Sequence, residues 1–179
     1  MRVLILLFIT SILFTNHGSV SARVVANERL ETAIRSGNVI LVKQLIEQGL
    51  DIDTQDGNGF TPLGTAAMSG QLEVATLLIK SGANPNAGKY PPLACASGIN
   101  KVDQTNIINL LIENGADVNK ARYDGLTPLH LAVMHGHTNV VKLLLSKGAE
   151  INTVNPEGHT VLDWAILLKR SDVQELLKS

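Results

Sequence analysis

The sequence predicts a mainly α-helical solenoid, a stack of about five helix-turn-helix units joined by β-hairpin or loop fingers. Three observations predict it. Gly49, Gly82, Gly115 and Gly148 follow one another at intervals of 33 residues, and a fixed period of about 20 to 50 residues is the signature of a repeat stack. Each period carries two apolar segments at helical spacing. In the best-formed one, Leu129, Ala132 and Val133 lie at i, i+3 and i+4, and a second segment after Gly136 holds Val140, Val141, Leu143, Leu144 and Leu145. Finally, the 179-residue chain is 45% hydrophobic and 3% aromatic, so it can bury a substantial core built from Leu, Ile, Val and Ala rather than from rings.

The first element stands apart from the rest. Met1-Arg2 precedes the apolar run Val3 to Ile9, with Ile12, Leu13 and Phe14 close behind, and polar residues then lead to Val20-Ser21-Ala22. An apolar stretch of about 12 residues is too short for a bilayer core of about 30 Å at 1.5 Å per residue. The pattern is that of a secretory signal peptide over residues 1–22, cut after Ala22. The alternatives are an uncleaved signal anchor and a hydrophobic N-terminal core helix, against which the polar stretch Arg23 to Asn27 argues.

Within a period, local chemistry fixes the helix ends. Thr127 suits an N-cap and Pro128 the first helical position, where a missing N–H costs nothing. Gly148 ends the second helix, because a left-handed C′ position is open to glycine without strain. Asp124-Gly125 marks the finger turn. The pairs Asp51 and Asp53, Asn84 and Asn86, Asp117 and Asn119, and Glu150 and Asn152 recur just after each closing glycine, where turn formation and N–H capping account for them.

These residues carry a family resemblance. Asp124-Gly125-Leu126-Thr127-Pro128-Leu129-His130-Leu131-Ala132, then Gly136-His137, Leu143-Leu144-Leu145 and Gly148-Ala149, resembles an ankyrin repeat almost position for position. Gly59-Phe60-Thr61-Pro62-Leu63 to Gly82-Ala83 is a second match, with Gly64 where the family usually has His. The unit Leu30 to Asp53 resembles an N-terminal capping repeat. The last, Gly158-His159-Thr160-Val161-Leu162 to Leu177, resembles a C-terminal cap with Val161 in the Pro position. The resemblance implies one ankyrin-repeat domain over residues 23–179, with units at about 27–53, 54–86, 87–119, 120–152 and 153–179, and a slightly curved body with a concave face.

The third unit departs from the pattern. Leu63 to Leu77 and Leu129 to Leu143 are 14 residues, whereas Leu93 to Leu110 is 17, so three residues are inserted between the helices, in Gly98 to Asn106. The finger is shortened by the same number: Asp53 to Gly59 and Asn119 to Gly125 are 6 residues, but Asn86 to Lys89 is 3. Tyr90-Pro91-Pro92 follows. Tyr90 is therefore expected on the concave face beside a notch, either as a specificity feature or as drift in loops that tolerate both changes.

Catalytic and metal chemistry find little support. His130, His135 and His137 form a cluster, yet the resemblance implies that His130 and His137 hold turns by hydrogen bonds, and no Cys or acidic residue completes a tetrahedral set. Cys95, the single cysteine, matches the inward-facing Leu131 and reads as a small buried thiol rather than a nucleophile. It forms no internal disulfide, so stability must come from packing. Trp164 reads as a cover for the open end of the stack, with an interface anchor as the alternative.

The net charge of −1, with 15 Lys plus Arg against 16 Asp plus Glu, and the absence of a basic run argue against nucleic acid. The expected function is non-enzymatic binding of another protein by a monomer, exported to the periplasm or secreted, with no membrane insertion after signal cleavage and no cofactor or metal. The expected contact residues are Phe60, Met68, Tyr90, Arg122, Tyr123, Leu126, Met134, His135 and His159, part of a variable set that also includes Gln55, Lys89 and Asn155. The row Phe60, Tyr90, Leu126 and His159 is its centre, or alternatively a shield for the fingers. Alanine at Phe60, Tyr90 and Leu126 is expected to abolish capture of the partner while sparing thermal stability. A secreted effector or toxin-neutralising protein is the alternative, and a metal-dependent or catalytic role in the third unit a remote one. The chain has no Asn-x-Ser or Asn-x-Thr sequon, which fits a bacterial export route.

Overall fold

The computed structural model describes residues 20–99 and 104–178, with side chains from residue 24 onward. Ten helices form among these residues, in five pairs: α1 (Val20–Arg35) with α2 (Val39–Glu47), α3 (Pro62–Ser69) with α4 (Leu72–Lys80), α5 (Pro92–Ser97) with α6 (Thr105–Glu113), α7 (Pro128–His135) with α8 (Thr138–Ser146), and α9 (Val161–Leu167) with α10 (Ser171–Lys178). The first helices pack in the order α1, α3, α5, α7, α9, and the second helices in the order α2, α4, α6, α8, α10. This is the helix-turn-helix solenoid that the period predicts. Its fingers are turns; the described residues contain no strand, and one isolated antiparallel bridge joins Val154 to Thr160.

The core repeats with the sequence. Leu45, Leu78, Leu111, Leu144 and Leu177 stand 33 residues apart on successive second helices, and all are buried. On the first helices Leu63, Leu93 and Leu129 are buried in the same way, although Leu93 arrives early because of the short finger. Each such leucine withdraws enough apolar surface to contribute about 1.5–3 kcal/mol. The stack runs unbroken through the third unit.

Helix α1 begins at Val20, and most of the expected signal peptide, residues 1–19, lies outside the described residues. The inter-helix loop of the third unit ends earlier than expected, because Thr105 and Asn106 already belong to α6; its residues 100–103 are outside the described residues.

Helix ends follow the predicted chemistry in the regular units. The hydroxyls of Thr61 and Thr127 accept from the backbone N–H groups of Gly64 and His130 at 3.1 and 3.4 Å. In the last unit Thr160 and Asp163 form a reciprocal capping box. The first helices α3 and α7 close on Gly70 and Gly136 at φ 74° and 73°. The third unit does neither: Pro91 stands at the N-cap without a side-chain bond, and α5 stops at Ser97 before Gly98 at φ −98°.

Candidate functional site

The recurring Asp/Asn pairs do more than shape their own turns. The first member of a pair accepts from the N–H two residues on, as in Asp51 with Asp53 at 3.1 Å and Asp117 with Asn119 at 2.9 Å. The second reaches into the next unit: Asp53 accepts from Asn84 N–H at 3.0 Å, Asn86 from Asp117 N–H at 2.8 Å, and Asn119 from Glu150 N–H at 2.9 Å. The Asn86 amide also donates to the Gly115 carbonyl at 2.8 Å. This ladder binds each finger base to its neighbour and survives the irregular third unit.

Beyond that base, regular fingers close on themselves. Asp56 N–H donates to the Phe60 carbonyl, Arg122 N–H to that of Leu126, and Asn155 N–H to that of His159, at 2.9 to 3.0 Å. The short finger closes on its neighbours instead. Lys89 N–H donates to the Gly59 carbonyl at 3.2 Å, and the Lys89 carbonyl accepts from Tyr123 N–H at 3.0 Å. Gly59, at φ 94°, must lack a side chain here, since a Cβ would stand 2.8 Å from the Lys89 chain. The expected notch is therefore taken up by main-chain bonding between fingers.

On this frame sits an aromatic cluster. The Tyr90 ring stacks on Phe60 with centroids 4.3 Å apart and meets Tyr123 edge-on at 5.1 Å. The Arg122 guanidinium lies 4.9 Å from the Tyr90 centroid and pairs with Asp124 at 2.6 Å. Such ring pairs add about 0.5–1.5 kcal/mol beyond the area they bury. Tyr123 covers the cluster while remaining 67% exposed. The hydrogen bond with Tyr123 and partial desolvation raise the Tyr90 phenol above its ordinary value.

The other expected contact residues are distributed differently. Phe60, Tyr90 and Met68 are half-buried and pack against the core, so alanine at Phe60 and Tyr90 would lower stability, contrary to expectation. Leu126 is half-buried and takes no part in the ring cluster, and His159 meets Trp164 edge-on at 5.8 Å; the row expected through four fingers divides into two groups. Met134 is half-buried, and His135 is exposed with its ring stacked 5.9 Å from that of His137. Asn155 is not a variable surface residue: it is 3% exposed, and its Oδ1 accepts from His159 N–H at 2.9 Å. The sequence places Tyr123 among the expected contact residues, and the structure adds its position over the Tyr90 ring. The signal was available, since Tyr90 and Tyr123 are themselves 33 residues apart.

The groups considered for chemistry take structural roles. Cys95 is buried, its thiol donates to the Tyr90 carbonyl at 3.4 Å, and burial pushes its pKa up to about 12. His130 accepts at Nδ1 from Thr127 N–H at 3.4 Å, and burial lowers its pKa. His137 caps α8 in position only, without a side-chain cap bond. Burial, more than the neighbouring His135, lowers its pKa. Among the described residues no group of three or more His, Cys, Asp or Glu could hold a metal ion, and no helix is long and apolar enough to cross a membrane.

Comparison with known proteins agrees with this architecture. A family profile described as ankyrin repeats in three copies matches residues 28–89 and 93–179. The 2-5A-dependent ribonuclease of Mus musculus is 36% identical over 73 residues, 40% of this chain and 10% of that protein. The ankyrin repeat, SAM and basic leucine zipper domain-containing protein 1 of Rhinolophus ferrumequinum is 35% identical over 63 residues, 35% of this chain and 13% of that protein. The chain thus spans about a tenth of the length of these curated relatives. The likeness is confined to repeats, which in this family mediate binding to other proteins. With the profile covering most of its length and the stacked helix pairs, capping boxes and finger ladder in place, the chain belongs to the ankyrin-repeat family.

Proposed function

We propose that this chain is a non-enzymatic module that binds another protein through its finger face, and that it does so after export, in the periplasm or outside the cell. The observation that carries the binding face is Tyr123, 67% exposed above the Tyr90 and Phe60 rings with Arg122 alongside. Tyrosine and arginine are the residues most often found at binding hot spots. Both are held by the short finger, so the irregular third unit supplies the specificity.

Export rests on the apolar run Val3 to Ile9 followed by small residues at Val20 to Ala22. A buried, unreactive Cys95 suits an oxidising compartment. N-terminal sequencing of protein recovered from the periplasm or medium tests this: a chain beginning at Arg23 supports it, and an intact Met1 in the cytosol refutes it. The binding face is tested by comparing wild type with Tyr123→Ser for a partner captured by the wild type. Loss of capture by a protein that remains folded, with stability lowered by at most about 0.5–1.5 kcal/mol through the lost ring pair with Tyr90, is expected; equal capture would remove the finger face from consideration.

A further inference from the structure

The last unit is closed along its second helix and open along its first. In earlier units, three positions of the first helix and its turn meet the unit that follows. Gly64 stands against Tyr90 and Cys95 of the third unit, and Gly37 and Gly136 lie against Gln71 and Arg170 of theirs. Between these positions Ile34, Ala67 and Val133 are 1%, 0% and 0% exposed. The 33-residue period puts Asp163, Ile166 and Lys169 at the same three places in the last unit. There Ile166 is 54% exposed, and Leu167 beside it 64%. Trp164 falls at the position of Cys95 and Leu131, which meet the preceding unit, so it does not cover this edge. Helix α10 differs: Gln174 replaces the fully buried Ala75 and Val141 of earlier second helices, Lys178 replaces Ile79 and Leu145, and the Gln174 amide is tied to the Ala165 carbonyl at 3.0 Å. The apolar edge of α9 therefore continues the interface that joins one unit to the next, while α10 ends it.

The chemistry of the edge limits what fits it. Asp163, Ile166 and Lys169 follow one another at intervals of three, a row along one side of α9 and its last turn that reads negative, apolar, positive. Asp163 accepts from the N–H and the hydroxyl of Thr160, both at 2.7 Å and both through Oδ2; these bonds lower its pKa and leave Oδ1 for a further donor. Lys169 is exposed and sits at φ 55°, where α3 and α7 close on glycine, in a left-handed conformation that disfavours a Cβ. A row with opposite charges at equal spacing on either side of an isoleucine is complementary to itself turned end for end. Laid antiparallel on a second α9, Ile166 meets Ile166 and each Asp163 meets a Lys169; laid parallel, like charges meet. A head-to-tail contact would instead set the exposed, polar Thr32 of α1 against this edge and would not close.

We propose that the open edge of α9 binds a second copy of this chain, forming a two-fold dimer in which the two α9 helices lie antiparallel. Ile166 and Leu167 make its apolar centre, and two Asp163–Lys169 pairs make its ends. Strain at Lys169 is then retained for the contact it provides. The interface is one helix pair wide, at the small end of specific interfaces, so the dimer forms at raised protein concentration in place of the expected monomer. It carries two finger faces, which raises avidity for a partner with repeated sites, and it does not depend on Tyr123.

Sedimentation equilibrium over a concentration series, on the chain in the form in which it accumulates, tests this. Wild type should pass from monomer to dimer and go no further. Ile166→Glu, at an exposed position, should raise the dissociation constant about a hundredfold, since each dimer loses the side chain twice. Lys169→Glu and Asp163→Lys should each abolish the dimer by setting like charges together, and an equal mixture of the two should restore it. Mixing repairs a charge mismatch and cannot repair a folding defect, so the result is readable even if one variant is less stable. Lys169→Gly should weaken the dimer about threefold to tenfold while raising the thermal transition of the monomer at low concentration, and Tyr123→Ser should leave association unchanged. A monomer at every concentration, growth beyond the dimer, association of Ile166→Glu equal to wild type, or a mixture that stays monomeric would overturn the proposal.

Discussion

The third and fourth units bury equivalent second helices and close their first helices in opposite ways. In the fourth, Thr127, His130 and Gly136 cap α7 at both ends from within the unit. In the third, Pro91 and Gly98 offer no such caps, and the finger is held by Gly59 and Tyr123 on either side. Continuity of the stack depends on the second helices and the Asp/Asn ladder, which the two units share. First helices and fingers can then change length, because neighbours supply the hydrogen bonds that the unit no longer makes for itself.

If that division is right, the largest effects will be alike in the two units. Leu111→Ala and Leu144→Ala remove fully buried side chains at the same place, and each should cost about 2–5 kcal/mol in chemical denaturation. A much smaller loss at Leu111 would mean that the third unit is not integral to the stack. Asn86→Ala removes both the acceptor for Asp117 N–H and the donor to the Gly115 carbonyl. It should cost about 1–2 kcal/mol, and the same substitution at Asn119 should cost a similar amount.

The caps separate the units more finely. Burial lowers the His130 pKa, so protons bind the unfolded chain more readily than the folded one. Stability is complete above the unfolded value of about 6.5 and declines as pH falls through it, by at most about 1.4 kcal/mol per pH unit. His137 is shifted in the same direction, so His130→Asn should flatten the profile between pH 7 and 5 without abolishing its slope. A profile unchanged in the variant would show that the His130 ring is not constrained as described. The smallest effect is expected in the last unit, where Lys169 takes the place of Gly136 at φ 55°. Lys169→Gly should stabilise the chain by about 1 kcal/mol, read as a raised thermal transition.

The fold was legible because it is written in a period. Closing glycines, the Leu45 to Leu177 column and the Thr-Pro caps are local or strictly repeated signals, and the shift of the third unit could be located by counting. What joins the units was less legible. Asp53 and Asn86 look like ordinary turn residues, since the N–H groups they bind lie 31 positions away. The aromatic site was seen in part: aligning on helix starts paired Tyr90 with Leu126, whereas the short finger brings Tyr90 against Tyr123. Asn155 was misplaced on the surface because its burial depends on how the last finger folds over it.

The binding face is the claim on which the functional account rests, and the affinity of Tyr123→Ser for a protein captured by the wild type measures it most directly. The account predicts a loss of about thirtyfold or more, as for a hot-spot side chain, with the thermal transition lowered by no more than the about 0.5–1.5 kcal/mol of the Tyr90–Tyr123 ring pair. Equal affinity in the two proteins would contradict it.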